Sequence, residues 1–231
     1  MKKCYIVGAG EMYGSISPCE DDLVIAADGG LEHLLKLGLI PDVIVGDFDS
    51  VSEKVFQKYG NLSEDITRVK QSAEKQSFVT LLGKNVEVFS YPVMKDETDM
   101  QLAYQIGASR GYTSFELYGG VGGREDHTFA NYCLLLRAKN DKNNAVLLGN
   151  KSKTFIIQNE KISVFGREGA TASVFSFGGT AHGVSVLGLK YEARNITINP
   201  HCSLGVSNSF LASGKGEISV DDGALLITVF D

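Results

Sequence analysis

The feature that most constrains the fold is a change of sequence pattern near residue 150. Before it, short apolar runs alternate with helix-like segments, whereas after it only short apolar runs remain, separated by turn signals. Strands that alternate with helices predict a mainly parallel sheet covered by helices. Short strands without helices predict an antiparallel sandwich. The sequence therefore predicts an α/β domain over residues 1–149 and an all-β antiparallel sandwich domain over 150–231.

Hydrophobic periodicity gives approximate bounds for these elements. In the first part, strands are predicted over 4–7, 23–27, 43–45, 86–89, 115–118 and 145–148, and helices over 31–37, 51–59, 98–109 and 127–137. In the second part, the clearest strands are predicted over 154–157, 172–177 and 225–230.

Composition bounds the class of protein. The chain has 231 residues, of which 43% are hydrophobic, enough for a buried core. No apolar run approaches the roughly 20 residues that span a bilayer, and the start of the chain lacks the longer apolar region of a signal peptide. We therefore expect a cytoplasmic protein without a membrane segment. The four cysteines are scattered without CxxC spacing, so neither a zinc site nor a disulfide framework is predicted.

Charge narrows the range of partners. The net charge is -6 and the sequence pI is about 5.3, whereas a nucleic-acid surface needs clustered lysine and arginine. We expect no nucleic-acid partner. An acidic protein can still bind an anionic nucleotide when a divalent metal and backbone amides supply the positive field.

An acidic pair follows the predicted strand over 43–45. Asp47 and Asp49 lie two residues apart, and in an extended segment such residues point to the same side. Their carboxylates can then converge on one hard cation such as Mg²⁺. The alternative is an ordinary solvated pair on the surface.

Two further motifs follow strands one and two. The glycines of Gly8-Ala9-Gly10 permit either a close approach to a phosphate or only a tight turn. Asp28, followed by Gly29 and Gly30, is either the N-cap of the next helix or part of a metal-nucleotide pocket.

A third acidic motif, Lys95-Asp96-Glu97-Thr98-Asp99, begins a predicted helix. Acidic residues there are favoured by the helix dipole, which is a purely structural explanation. A carboxylate from this motif could also join Asp47 and Asp49 around a metal that faces an ATP tail. Lys95 is then either a phosphate contact or a solvated charge.

Four glycines in residues 119–123 precede Arg124, Asp126 and His127. Loop amides and the guanidinium group of an arginine can bind phosphate oxygens. A glycine hinge followed by a surface arginine would give the same sequence pattern. Asp126 could cap the following helix, and His127 could be purely structural. In the second part, Ser207 and Asn208 offer donors and acceptors to a polar ring, or form an ordinary turn.

Taken in order, ADGG at 27–30, PDVIVGDFDS at 41–50, KDETD at 95–99, GGVGGREDH at 119–127 and GVSN at 205–208 resemble the thiamine pyrophosphokinase family. The resemblance implies a Rossmann-like catalytic domain, a β-sandwich and a homodimer whose sites lie between one subunit's catalytic domain and the other's sandwich. It also implies transfer of diphosphate from ATP to thiamine, with Mg²⁺ on the triphosphate.

The resemblance carries roles to particular residues. It implies metal carboxylates at Asp47, Asp49 and Asp99, which with Arg124 form the catalytic set. It implies nucleotide contacts from Asp28, Gly29, Gly30, Lys95, Asp96, Thr98, Arg124, Asp126 and His127, and thiamine contacts from Ser207 and Asn208. Some members stack a tryptophan on thiamine, and because this chain has none, Phe210 or another ring is expected instead.

The sequence leaves two alternatives open. One is a diphosphokinase of the same fold that acts on another primary alcohol, such as a hydroxymethyl pterin. The other is a nucleotide sensor that binds metal and nucleotide without turnover.

Overall fold

The structure is a computed structural model that describes residues 2–47, 67, 76–92 and 94–231. The chain divides into two compact units, Met1–Asn131 and Tyr132–Asp231. The predicted helix over 51–59 lies outside the described residues, as does Asp49. None of the helices in the described ranges has both the length and the apolar character that crossing a bilayer requires.

The first unit alternates strands and helices. Its elements are β1 (Cys4–Val7), β2 (Leu23–Ala27), α1 (Gly30–Lys36), β3 (Val43–Gly46), β4 (Gln76–Leu81), β5 (Lys84–Ser90), α2 (Asp99–Ser109), β6 (Ser114–Tyr118) and the start of α3 (Glu125–Asn140). Every residue of β1, β2 and β3 is buried, as expected for central strands with apolar sequences.

These strands form a mixed sheet in the order β6-β1-β2-β3-β5-β4. Strand β1 pairs in parallel with β2 and β6, β2 pairs in parallel with β3, and β3 pairs in parallel with β5. Strand β4 is antiparallel to β5. The carboxyl ends of β1, β2, β3 and β6 therefore meet at one edge of the sheet, where open α/β sheets bind their ligands.

The sequence located most of these elements and missed β4. The predicted strands, and the predicted helices that fall in the described ranges, are confirmed with ends shifted by a few residues. Strand β4 joins β5 through Leu82 and Gly83, both of which have positive φ. Leucine is an unusual residue for such a two-residue hairpin turn, which is why no turn signal marked the hairpin.

The second unit follows α3 with strands only. They are β7 (Asn144–Gly149), β8 (Ser152–Gln158), β9 (Lys161–Phe165), β10 (Thr171–Ser176), β11 (Ala181–Leu187), β12 (Ala193–Ile198), β13 (Gly205–Ser209), β14 (Lys215–Ser219) and β15 (Ala224–Phe230). They form two sheets, with the orders β13-β10-β15-β8-β7 and β12-β11-β14-β9. The pairings within each of these two groups are antiparallel.

One hydrophobic core joins these two sheets. Val174 and Leu225 enter it from the first sheet, and Val184 and Ile218 from the second. The all-β character of this region agrees with its sequence pattern. Residues 150 and 151 form a tight turn between β7 and β8, because Gly149 pairs with Ser152. The boundary between the two compact units falls inside α3, and the domain boundary at residue 149 stays a prediction.

Candidate functional site

A cavity of about 260 Å³ lies in the first unit, next to the carboxyl ends of β1, β2 and β6. Its walls come from the connections after these strands and from the starts of α2 and α3. The lining residues are Gly8, Ala9, Gly10, Ala27, Asp28, Thr98, Asp99, Met100, Gly119, Gly120, Gly122, Gly123, Arg124, His127 and Asn131. Five of the residues to which the family resemblance assigns a role are thus brought together: Asp28, Thr98, Asp99, Arg124 and His127.

The two glycine-rich loops contact each other directly. Gly10 N donates to Gly119 O at 2.8 Å, and Glu11 N donates to Val121 O at 2.9 Å. A Cβ atom on Gly119, whose φ is +60°, would lie 2.2 Å from Gly8 O. Glycine is therefore required here because two backbones approach closely. Since the amides of Gly10 and Glu11 donate to the neighbouring loop, the first loop's glycines serve packing more than phosphate approach.

The second loop keeps amides that can face an anion. Gly122 and Gly123 have φ of +80° and +77°. Within the part of the chain that the structure describes, neither N–H group donates a hydrogen bond to a backbone carbonyl. Both residues line the cavity. Backbone amides in this setting can bind phosphate or carboxylate oxygens.

Asp28 is a buried carboxylic acid at the end of β2. The residue is 9% exposed, its φ is +49°, and its N–H donates to Val45 O at 2.8 Å. The N-cap of α1 is Gly29, so the interpretation of Asp28 as that cap is wrong. Gly30 serves packing, since a Cβ there would lie 1.8 Å from Val7 O. Of these three residues, Asp28 alone lines the cavity.

Asp47 directly follows Gly46, the last residue of β3. A Cβ on Gly46 would lie 3.2 Å from Asp28 Cα, so this strand end packs closely against the Asp28 backbone. No group of three or more metal-ligating side chains occurs among the described residues, a set that lacks Asp49. The metal site formed by Asp47, Asp49 and Asp99 therefore stays a prediction.

The start of α2 places Asp99 in the cavity. Thr98 is the N-cap, and its side-chain oxygen accepts a hydrogen bond from Gln101 N at 3.2 Å. Lys95 Nζ lies 2.8 Å from Asp99 Oδ1. This ion pair holds the Asp99 carboxylate in position. Lys95 is therefore not merely a solvated surface charge. Neither Lys95 nor Asp96 is among the described residues that line the cavity.

Arg124, which lines the cavity, forms a two-point ion pair with Asp126. Arg124 Nη2 lies 2.6 Å from Asp126 Oδ2, and Arg124 Nε lies 3.2 Å from Oδ1. The hydrogen bond from Arg124 lowers the pKa of the exposed Asp126 carboxyl, and the same contact raises the pKa of Arg124. Helix α3 begins at Glu125, so Asp126 lies in its first turn and is not its N-cap.

Asn131 lines the cavity and His33 supports one of its loops, and sequence reasoning missed both. Asn131 is 4% exposed, lines the cavity, and donates from Nδ2 to Gly120 O at 2.7 Å. His33 Nε2 lies 2.8 Å from Gly10 O. The available signal for Asn131 was its place four residues after His127, which puts both side chains on one helix face.

In the second unit, Asn208 holds a loop in place. Its Oδ1 accepts from Tyr191 N and Ser209 N, both at 2.9 Å, and its Nδ2 donates to Tyr191 O at 2.7 Å. Ser207 is exposed at a bulge in β13 with φ of +61°, and its N–H donates to Ser173 Oγ at 3.1 Å. Non-glycine residues with such a backbone are strained and often lie at functional sites.

The aromatic residue expected near thiamine needs a correction. Phe210 is 2% exposed and belongs to the core between the two sheets, so its ring does not face a ligand in this structure. Tyr191 is 62% exposed, and its ring centroid lies 5.4 Å from Lys190 Nζ. Tyr191 is therefore the aromatic residue that Asn208 presents at the surface.

By fold and cavity, the chain is an α/β protein of the class that binds ligands beyond parallel strand ends, followed by an all-β unit. The family model described as thiamin pyrophosphokinase, catalytic domain, matches residues 19–147. The model described as thiamin pyrophosphokinase, vitamin B1 binding domain, matches residues 154–225. The chain belongs to the thiamin pyrophosphokinase family.

Individual relatives agree with this family. A thiamine pyrophosphokinase from Bacillus subtilis is 26% identical over 216 residues, which cover 90% of this chain and 87% of the relative. A crystal structure of thiamine pyrophosphokinase from Bacillus subtilis has a TM-score of 0.79 at 22% identity, covering 100% of this chain and 99% of that one. For thiamin pyrophosphokinase from Candida albicans the TM-score is 0.70 at 16% identity, with 99% and 90% covered.

Proposed function

We propose that this protein transfers the diphosphate of ATP to the hydroxyl group of thiamine, giving thiamine diphosphate and AMP. The observation that carries the proposal is the cavity lined by acidic residues and glycines. Most of its lining residues fall within 19–147, the range that matches the catalytic-domain model. The vitamin B1 binding match over 154–225 supports thiamine as the acceptor. The pterin and sensor alternatives are not favoured by these matches.

The first unit is proposed to have a Rossmann-like fold and to bind ATP. Four parallel pairings among β1, β2, β3, β5 and β6 support this description. The available amides of Gly122 and Gly123, together with Arg124, suit the phosphate oxygens. The proposed nucleotide-side residues remain Asp28, Gly29, Gly30, Lys95, Asp96, Thr98, Arg124, Asp126 and His127.

Magnesium is proposed as the metal, held by Asp47, Asp49 and Asp99. The described residues fit such an ion, because Asp28 and Asp99 supply carboxylate oxygens to one cavity and Mg²⁺ prefers oxygen ligands that it shares with substrate phosphates. When bound, the ion would offset the negative charge of the triphosphate. Lys95 fixes the position of the Asp99 carboxylate through their ion pair.

The proposed reaction is an in-line displacement. The thiamine hydroxyl oxygen forms a bond to the β-phosphorus, the bond from that phosphorus to the α,β-bridging oxygen breaks, and AMP leaves. The hydroxyl proton passes to one of the site's aspartates. Such a reaction is accelerated mainly by positioning and by charge stabilisation, so Arg124 would turn from Asp126 to the transferring phosphoryl group.

Ser207 and Asn208 are proposed as the thiamine-side residues. Ser207 carries an exposed hydroxyl on a strained bulge, and Asn208 fixes the loop that carries the exposed Tyr191 ring. We assign to Tyr191 the stacking surface that tryptophan supplies in some family members. The homodimer, with each site completed by the partner's sandwich, and the cytoplasmic location stay proposals that rest on the family resemblance and on sequence composition.

The test is AMP formation by purified protein. AMP that requires ATP, Mg²⁺ and thiamine together supports the proposal, with a hydroxymethyl pterin in place of thiamine as the matched control. AMP formed only with the pterin would identify the other acceptor, and nucleotide binding without AMP would identify a sensor. Analytical ultracentrifugation of the same sample tests the dimer, and a fully active monomer would reject it.

A further inference from the structure

Asn131 joins the glycine loop after β6 to helix α3. Its amide is buried, and its Nδ2 donates to Gly120 O at 2.7 Å. The neighbouring buried residues on this helix, Leu134, Leu135 and Ala138, are apolar. A buried amide in such surroundings is costly unless it is hydrogen-bonded, and here the bond goes to a loop carbonyl at the cavity.

The loop after β1 is anchored in a comparable way. Because Gly10 O can only accept, His33 Nε2 donates to it across 2.8 Å. Gly10 N in turn donates to Gly119 O at 2.8 Å. Hydrogen bonds therefore run from His33 on α1 through both glycine loops, and Asn131 on α3 holds the second loop.

This anchoring bears on the amides that face the cavity. Because the peptide group is planar, a hydrogen bond that holds the Gly120 carbonyl also orients the N–H group of Val121 in the same plane. Gly122 and Gly123 come directly after Val121 in the sequence. Glycine has the greatest backbone freedom, so a fixed neighbouring peptide group reduces the number of conformations that these two residues adopt. Amides held in place before a ligand arrives bind a developing or existing negative charge without the cost of ordering the loop.

We propose that Asn131 is a positioning residue for the phosphate groups of ATP. It acts through the Gly120 carbonyl and holds the amides of Gly122 and Gly123, with Arg124 beside them, toward the triphosphate. This inference rests on the proposed function in that it requires ATP in this cavity. No contact between Asn131 and the nucleoside is needed.

The test compares wild type with Asn131→Ala by calorimetric titration of a methylene-bridged, non-reactive ATP analogue with Mg²⁺ and of inorganic tripolyphosphate. We expect the affinities for the analogue and for tripolyphosphate each to fall roughly five- to tenfold, the loss in binding that removal of about one hydrogen bond causes. Adenosine, measured as a competitor of the analogue, should bind as in wild type. In turnover, the KM for ATP should rise while the KM for thiamine stays unchanged. Asn140→Ala, at the exposed end of the same helix, is the matched control.

Three outcomes would overturn the inference. Unchanged affinity for tripolyphosphate, or a loss shared with adenosine, would mean that Asn131 does not act through the phosphates. An equal rise in both KM values with a lowered Tm would mean a structural role only. If Asn131→Ala does not fold, His33→Ala should show the same pattern more weakly. If the analogue binds but the enzyme forms no thiamine-dependent AMP from ATP, the proposed function is rejected and the binding test remains valid.

Discussion

The two units of the molecule use polar residues differently. In the first, Asp28, Asp99 and Arg124 follow separate strands and meet around one cavity. In the second, buried polar groups pair locally: Asn208 bonds to the Tyr191 backbone, and Thr154 Oγ1 lies 3.0 Å from Thr228 Oγ1.

The difference follows from strand direction. Parallel strands bring every carboxyl end to one edge, so residues far apart in sequence converge there. Antiparallel hairpins send alternate ends to opposite edges, which disperses their loops. A site on the second unit therefore depends on local devices, such as the Ser207 bulge and the loop held by Asn208.

The largest expected effect tests the convergence of carboxylates in the first unit. Asp49→Asn and Asp99→Asn should each lower kcat by about 100-fold or more, because each removes charge from the proposed metal site at nearly constant volume. Thermal unfolding should be unchanged in Asp49→Asn, whereas Asp99→Asn also loses the ion pair with Lys95 and should unfold at a slightly lower temperature. Asp21→Asn, which alters an exposed carboxylate paired with Lys2, is the control. Near-normal turnover in the Asp49 and Asp99 variants would remove the metal role.

The close contact between the two glycine loops can be tested by comparing the free energies of unfolding of two glycine variants. Gly119→Ala should lower the free energy of unfolding by about 2–4 kcal/mol, since the new Cβ meets Gly8 O in a left-handed backbone. Gly38→Ala has a similar φ of +73° but open space around it, so only about 1–2 kcal/mol is expected. Equal losses in urea denaturation would show that the loops do not pack as described.

In the second unit, the exposed ring is tested by substrate kinetics. Tyr191→Ala should raise the KM for thiamine about tenfold and leave the KM for ATP and the Tm unchanged. Tyr191→Phe should resemble wild type, because the ring and not the hydroxyl is proposed to stack. If Tyr191→Ala binds thiamine normally, the stacking surface lies elsewhere.

The smallest effect concerns the exposed pair of Arg124 and Asp126. The contact lowers the pKa of Asp126 in the folded state, so its slight stabilisation is present above about pH 4, the ordinary value, and is lost as pH falls through the lowered pKa. Arg124→Gln should raise the pKa of Asp126, as followed by carboxyl carbon NMR, whereas Arg137→Gln should not. An unchanged pKa would show that the ion pair does not form in solution.

Sequence reasoning went furthest where local patterns decide the structure. The apolar runs of β1, β2 and β3 marked buried strands because strands covered on both faces must be apolar along their length. Motif order identified the family, which the matches over 19–147 and 154–225 show. Strand β4 was missed because Leu82 occupies a turn position with positive φ.

The roles of single polar residues were harder to predict. The sequence left Asp28 open between a helix cap and a pocket residue, and only the structure places it in the cavity wall, while Phe210 looked available to a ligand and is buried in the core. Lys95 turned out to be the partner of Asp99. Such roles depend on which neighbour a side chain meets, and sequence spacing does not specify neighbours from other strands.

The sequence by itself determined the element types, the change to β structure near residue 150 and the family, because hydrophobic period, turn residues and motif order are local properties of the chain. Only the tertiary structure decided that Gly10 packs on Gly119, that Asn131 holds Gly120, and that Asn208 holds the Tyr191 loop. These contacts join residues from separate elements, and the sheet pairings that bring them together are set by the packing of the whole unit.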